Sequence, residues 1–162
     1  MLTDEVRFSL DYDGWANERL LDTIETLSFE EFTAEAAPGH AVPRATVLHC
    51  ISGMRVWRER LQSLPHAGPV TEAECPTLEA ARALWRAEQA HLGAYVAETD
   101  LDLVVEQRRG ELVMRPPRWQ FIAHLTFHNM QHRSELAQAL TLFGHSPGEI
   151  GMLPFLVERS RT

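Results

Sequence analysis

Four long stretches of this chain repeat apolar residues at helical spacing, and proline or glycine falls in each of the segments between and after them. Amphipathic helices of that length must bury their stripes against one another, so the pattern predicts a helical bundle. The first stretch runs from about Asp4 to Leu27, with Phe8, Tyr12, Trp15 and Arg19 on one face. Ser28 then opens a short SFEEF turn, with Glu31 placed for a capping box. The second stretch, about Arg44 to Leu64, carries a stripe of Cys50, Met54, Trp57 and Leu61. A proline-rich loop leads to Thr77, an N-cap for the third, Leu78 to about Thr99, lined by Leu78, Ala81, Trp85, Leu92 and Val96. The fourth starts at Pro116-Pro117 and runs to about Phe143, before Gly144. Between the third and fourth, Leu103, Val104 and Val105 precede Gly110, and Leu112, Val113 and Met114 follow it, which predicts a short β-hairpin. The tail predicts one short helix packing Met152, Leu153 and Phe155. The expectation is an all-α four-helix bundle with a short hairpin before its last long helix, forming one domain over residues 1–162.

Charge and composition remove several function classes. The formal net charge is −8, and the basic residues, all arginine, never run longer than Arg108-Arg109. No electrostatic footprint for nucleic acid is present. The longest apolar-looking stretch, Trp119 to Phe127, includes Gln120 and His124 and is far shorter than the roughly 20 residues a membrane span needs. The first residues carry acids where a signal peptide carries bases, so the expected location is the cytoplasm. Cys50 and Cys75 make no disulfide framework, and Cys50 reads as a small buried apolar residue.

The histidines are the chemical signal. The chain has 8 of them. Three fall in the fourth stretch, at 124, 128 and 132. On a helical wheel Phe121, Leu125, His128, His132, Leu136, Ala139 and Phe143 share an arc of about 80°, the stripe expected to face the interior. Histidines one turn apart on one face can reach a single metal ion. Three in succession cannot easily do so, since the outer two are separated by roughly 12 Å of rise. The pair is therefore 124/128 or 128/132, and the second is better centred on the stripe. The plainer alternative is two hydrogen-bonded core histidines, each with a ring that needs a polar partner. His49 is the other histidine well inside a long helix, but it sits at the edge of its stripe, beside Thr46 and Gly53. Gly53 offers room for a close helix neighbour. His40, His66, His91 and His145 read as solvent-facing.

Three segments carry a resemblance. DYDGWANERLLDTI resembles the opening of DinB/YfiT-like proteins. ATVLHCISGMRVWRERL resembles their second helix, and WQFIAHLTFHNMQHRSEL their last long helix. The hairpin ending in GELVMRPPRWQ also has a counterpart there. The resemblance implies a four-helix bundle, a homodimer, and a metal triad on His49, His128 and His132. The chain departs from the family pattern in two places: it has no carboxylate near Gly53-Met54, and Glu135 stands where glutamine is usual.

Three imidazoles would leave a coordination position open, the arrangement of a reactive rather than a closed structural site. Zinc or nickel is the expected ion. By resemblance, the implied activity is a metal-dependent transfer of a low-molecular-weight thiol (bacillithiol, mycothiol or glutathione) to a small electrophile, in stress or detoxification. The alternatives are a metal-dependent hydrolase using bound hydroxide and a metal-binding stress protein without turnover. Arg133, next to a ligand but about 100° away around the helix, is expected in an ion pair with a neighbouring helix. Tyr12 and Trp15 are expected in the core and pocket wall. Glu135 has three open readings: a fourth ligand, a hydrogen-bond partner of a ligand ring, or an exposed flanking charge.

Overall fold

The computed structural model describes residues 2–161, apart from the side chains of residues 2, 3 and 109. The two ends of the expected domain, Met1 and Thr162, lie outside the described residues. Six helices and one hairpin follow in order: α1 (Leu2–Ile24), α2 (Phe29–Thr33), α3 (Pro43–Leu61), α4 (Leu78–Glu98), β1 (Gln107–Arg109), β2 (Leu112–Met114), α5 (Arg118–Leu142) and α6 (Met152–Arg159). The four long helices close a ring in which α1 and α3 each pack against both α4 and α5. The fold is an all-α four-helix bundle. No helix is long and apolar enough to cross a membrane among the described residues.

Local chemistry sets the helix ends. The Ser28 side chain accepts from the Glu31 backbone N–H at 3.2 Å, and the Glu31 carboxylate accepts from the Ser28 N–H at 2.8 Å, the capping box expected from the sequence. Thr77 caps α4 by accepting from Ala80 N–H at 3.1 Å. One apolar core, built around Leu20, Ile24, Ile51, Met54, Trp85, Leu92, Leu125, Leu136 and Leu140, fills the bundle. Cys50 is buried in it, and burial pushes its thiol up to about 12.

Three expectations need correction. The first hairpin strand is Gln107–Arg109, paired with Leu112–Met114, and not the apolar run 103–105. That run lies alongside the start of α5 instead: Val105 N–H donates to Pro116 O, and Arg118 N–H to Leu103 O, both at 3.1 Å. Gly110, at φ +60°, takes the left-handed turn that fixes this shorter register. The face of α1 carrying Phe8, Tyr12 and Trp15 lies beneath α6, where Phe155 sits 5.7–5.8 Å from all three rings. The bundle core takes the adjacent face of α1, with Ala16, Leu20 and Ile24. In α6 Phe155 is buried, while Met152 and Leu153 are exposed, because one short helix can turn only one side inward.

Candidate metal centre

On α5 the buried stripe is Phe121, Ile122, Leu125, Asn129, Arg133, Leu136, Ala139 and Leu140, which keeps Phe121, Leu125, Leu136 and Ala139 of the expected one. It is rotated from the expected one, so His128 and His132 lie on its flank, half-buried against α3. The rotation follows from Asn129 and Arg133, which look outward-facing by polarity but are held inward by Asp13 of α1. Asn129 donates to Asp13 Oδ2 at 2.9 Å, and Asn17 to the same oxygen at 3.1 Å. Arg133 pairs with Asp13 Oδ1 and donates to Asn17 Oδ1 at 3.0 Å. Burial raises the Asp13 carboxyl above the ordinary carboxylate value, against the opposing pull of the Arg133 guanidinium. The expected ion pair of Arg133 with a neighbouring helix is thus present. Sequence reading missed its partners Asp13 and Asn17, and it missed Asn129.

α3 runs antiparallel to this part of α5 and presents His49 to both histidines. The ring centroids are 4.8 Å apart for His49–His128, 4.6 Å for His49–His132 and 4.5 Å for His128–His132. His49 Nε2 faces His128 Nε2 at 2.9 Å. One nitrogen from each of the three rings lies within 4.8 Å of the other two. Small ring rotations would bring such a set to the roughly 2.0–2.1 Å bonds of zinc to imidazole. A Cβ at Gly53 would come within 3.3 Å of His128 Cε1, so the glycine allows the His128 ring to seat against α3. His124 is outside the set, with its centroid 6.1 Å from that of His128. The structure therefore brings together 49, 128 and 132, and selects 128/132 over 124/128.

The electrostatics suit a cation. Burial first, and then the neighbouring His132, lowers the pKa of both His49 and His128 below the usual imidazole value. Both rings are neutral donors at neutral pH. Glu135, only partly exposed, accepts from His132 Nδ1–H at 2.7 Å. Of its three readings, the contact matches the hydrogen-bond partner of a ring, that of the candidate ligand His132. That contact fixes the tautomer and leaves His132 Nε2 for a metal. Hydrogen bonds from Gln131, then His132, hold the Glu135 carboxyl below its ordinary value. Of the remaining histidines, His66 and His91 are exposed as expected. His40 and His145 are half-buried instead, His145 because its Nδ1 meets the Thr26 hydroxyl at 2.7 Å.

Two expected outcomes follow from this geometry. In metal-free protein, the folded-state pKa values of His49 and His128 lie below those of the unfolded chain. The unfolded state then binds more protons just below pH 6.5, so stability falls as pH drops from there toward the folded pKa values. Urea unfolding between pH 7.5 and 5 tests this; a stability independent of pH below 6.5 would contradict it. Glu135→Ala frees the His132 ring and is expected to weaken zinc binding about 10–100-fold, with Glu135→Gln recovering most of the loss because its amide oxygen still accepts. Competition titration with a chromophoric chelator measures both variants. Equal affinity in the alanine variant would show that the contact does not support the site.

The model of the DinB family matches residues 1–158. No curated protein matches the chain.

Proposed function

The chain belongs to the DinB family, and from that premise we propose that it is a metal-dependent transferase that activates a low-molecular-weight thiol for attack on a small electrophile. The observation that carries this reading is the convergence of three imidazoles from two helices, with nitrogens within 4.8 Å of one another. Zinc or nickel fits the all-nitrogen donor set. When bound, such an ion lowers the pKa of a thiol or water placed on its open side.

The chain's own residues supply the rest. Burial keeps His49 and His128 unprotonated, Glu135 orients His132, and Gly53 makes room for the His128 ring. His49 is only partly desolvated and stays exposed by accessible surface, so a small molecule can approach it from solvent. In the reaction, the thiol would release its proton to solvent, and its sulfur would form the new bond to carbon while the leaving group departs with the electron pair of the bond that breaks. The cytoplasm, where such thiols are kept reduced, suits this role.

The test uses untagged protein loaded with zinc or nickel, incubated with glutathione or bacillithiol and an aryl halide. The expected result is conjugate formation that disappears in His128→Ala. Metal binding with ester hydrolysis but no conjugation would replace this reading with a hydrolase. Metal binding with neither activity would leave a metal-holding stress protein. Family resemblance also supports a homodimer, and a monomer mass by light scattering at micromolar concentration would overturn that assignment.

A further inference from the structure

The seam between α3 and α5 continues past the histidines. Going along α3 from His49 and Gly53, the next residues on this side are Trp57 and Arg60. Opposite them on α5 are His124, Phe121 and Gln120. Here the β2 strand of the hairpin overhangs the seam and encloses a cavity of about 390 Å³. Its floor is aromatic, with Trp57 and Phe121 centroids 4.8 Å apart. Leu112 and Met114, two residues apart and so on one face of β2, form the apolar roof. Leu112 is 58% exposed, an apolar side chain left uncovered at the mouth.

Arg60 lies over the Trp57 ring at 5.3 Å and has no carboxylate partner among the described residues. This sets the cavity apart from the larger groove lined by Glu18, Arg19, Asp22 and Glu158, whose charges are taken up in pairs such as Arg19–Glu158 and Arg82–Glu18. His124 joins the cavity to the candidate centre. Its ring is 5.4 Å from Trp57 on one side and 6.1 Å from His128 on the other.

We propose that this cavity is a binding site for a small aromatic carboxylate, with its ring on Trp57 and Phe121 and its anionic group on Arg60. An apolar pocket with one convergent cation is the usual composition of a small-molecule site. A ring bound on Trp57 and Phe121 lies about two helical turns, roughly 10–12 Å of rise, from His49 and His128, with His124 between. Taking this ligand as the electrophilic substrate rests on the thiol-transfer reading; the binding itself does not.

The test is calorimetric titration of the zinc-loaded and metal-free protein with 2-naphthoate and with its neutral amide, 2-naphthamide. The expected result is that naphthoate binds about fivefold tighter than the amide, with or without zinc. Arg60→Gln should erase that preference and leave amide binding unchanged. Trp57→Leu should weaken both ligands severalfold, while Trp57→Phe, which keeps a ring and guards against misfolding, should restore most of the affinity. Equal affinity for acid and amide, a preference that survives Arg60→Gln, or no binding at millimolar ligand would each overturn the proposal. A preference that vanishes with zinc removal would place the carboxylate on the metal and overturn the role of Arg60. Naphthoate binding by a protein that takes up no metal would sustain this site and defeat the thiol-transfer reading, so the two failures are distinguishable.

Discussion

One equivalent of zinc is expected to raise the thermal midpoint of the untagged protein by roughly 8–16 °C, and His128→Ala to abolish almost all of that rise. A ligand that binds only the folded state stabilises it by about 4 kcal/mol at a thousandfold excess over Kd. For a chain of this size each kcal/mol moves the midpoint by about 2–4 °C. The unfolded chain cannot hold the site, because two candidate ligands come from α5 and the third from α3, with His49 and His128 79 positions apart. His128 is the right residue to remove, since its ring approaches both other histidines. Only two imidazoles, His49 and His132, remain in the variant, one fewer protein ligand than an open zinc site uses. His91→Ala, on the exposed side of α4, serves as the control and should keep the full zinc effect. Scanning calorimetry with elemental analysis reads both quantities. If His128→Ala still takes up one equivalent of zinc with the same midpoint rise, the three-histidine site is wrong.

The second large effect belongs to the buried polar cluster. Arg133→Met is expected to cost about 3–5 kcal/mol of stability, because it leaves the Asp13 carboxylate buried without its guanidinium. Asp13 and Arg133 are only 3% and 2% exposed, so water cannot take the place of the lost partner. In urea this corresponds to a midpoint lower by roughly 2 M. Adding Asp13→Asn to Arg133→Met removes the stranded charge and still leaves an amide for Asn17 and Asn129. The double variant should therefore be more stable than Arg133→Met alone, against the usual direction of a second core substitution. Simple addition of the two single losses would show that the pair is not coupled. The cluster also bears on the candidate centre, because Arg133 follows His132 directly and holds that turn of α5 in its rotation. Metal affinity is accordingly expected to fall in Arg133→Met even where the protein remains folded.

Much of the architecture was legible in the residues themselves. Apolar spacing located the four long helices, and Pro43, Thr77 and Gly144 marked boundaries because each acts through its own backbone or side chain. The His128–His132 pair was readable for the same reason, since one helix carries both rings on one face. The Ser28–Glu31 box spans three residues and was equally plain. His49 was a different case. Its wheel position put it at the edge of its helix, and family resemblance, not periodicity, pointed to it.

The sequence by itself determined what lies within one helix: where each begins and ends, and which side chains share a face. Tertiary structure decided how the helices are rotated and which faces meet. Asn129 and Arg133 occupy the inner stripe of α5 because Asp13 and Asn17, more than a hundred residues earlier, give Asn129 Nδ2 and Arg133 Nη1 buried acceptors there. A polar side chain reads as outward-facing until its buried partner is known, and no local pattern supplies that partner. The same rotation sets His128 and His132 on the flank against α3, where His49 meets them. Glu135 was likewise undecided among three roles until its carboxylate was found 2.7 Å from His132 Nδ1. Helix periodicity fixes an angle around one axis, and a site shared by two helices also needs their relative rotation and register, which packing of the whole core sets.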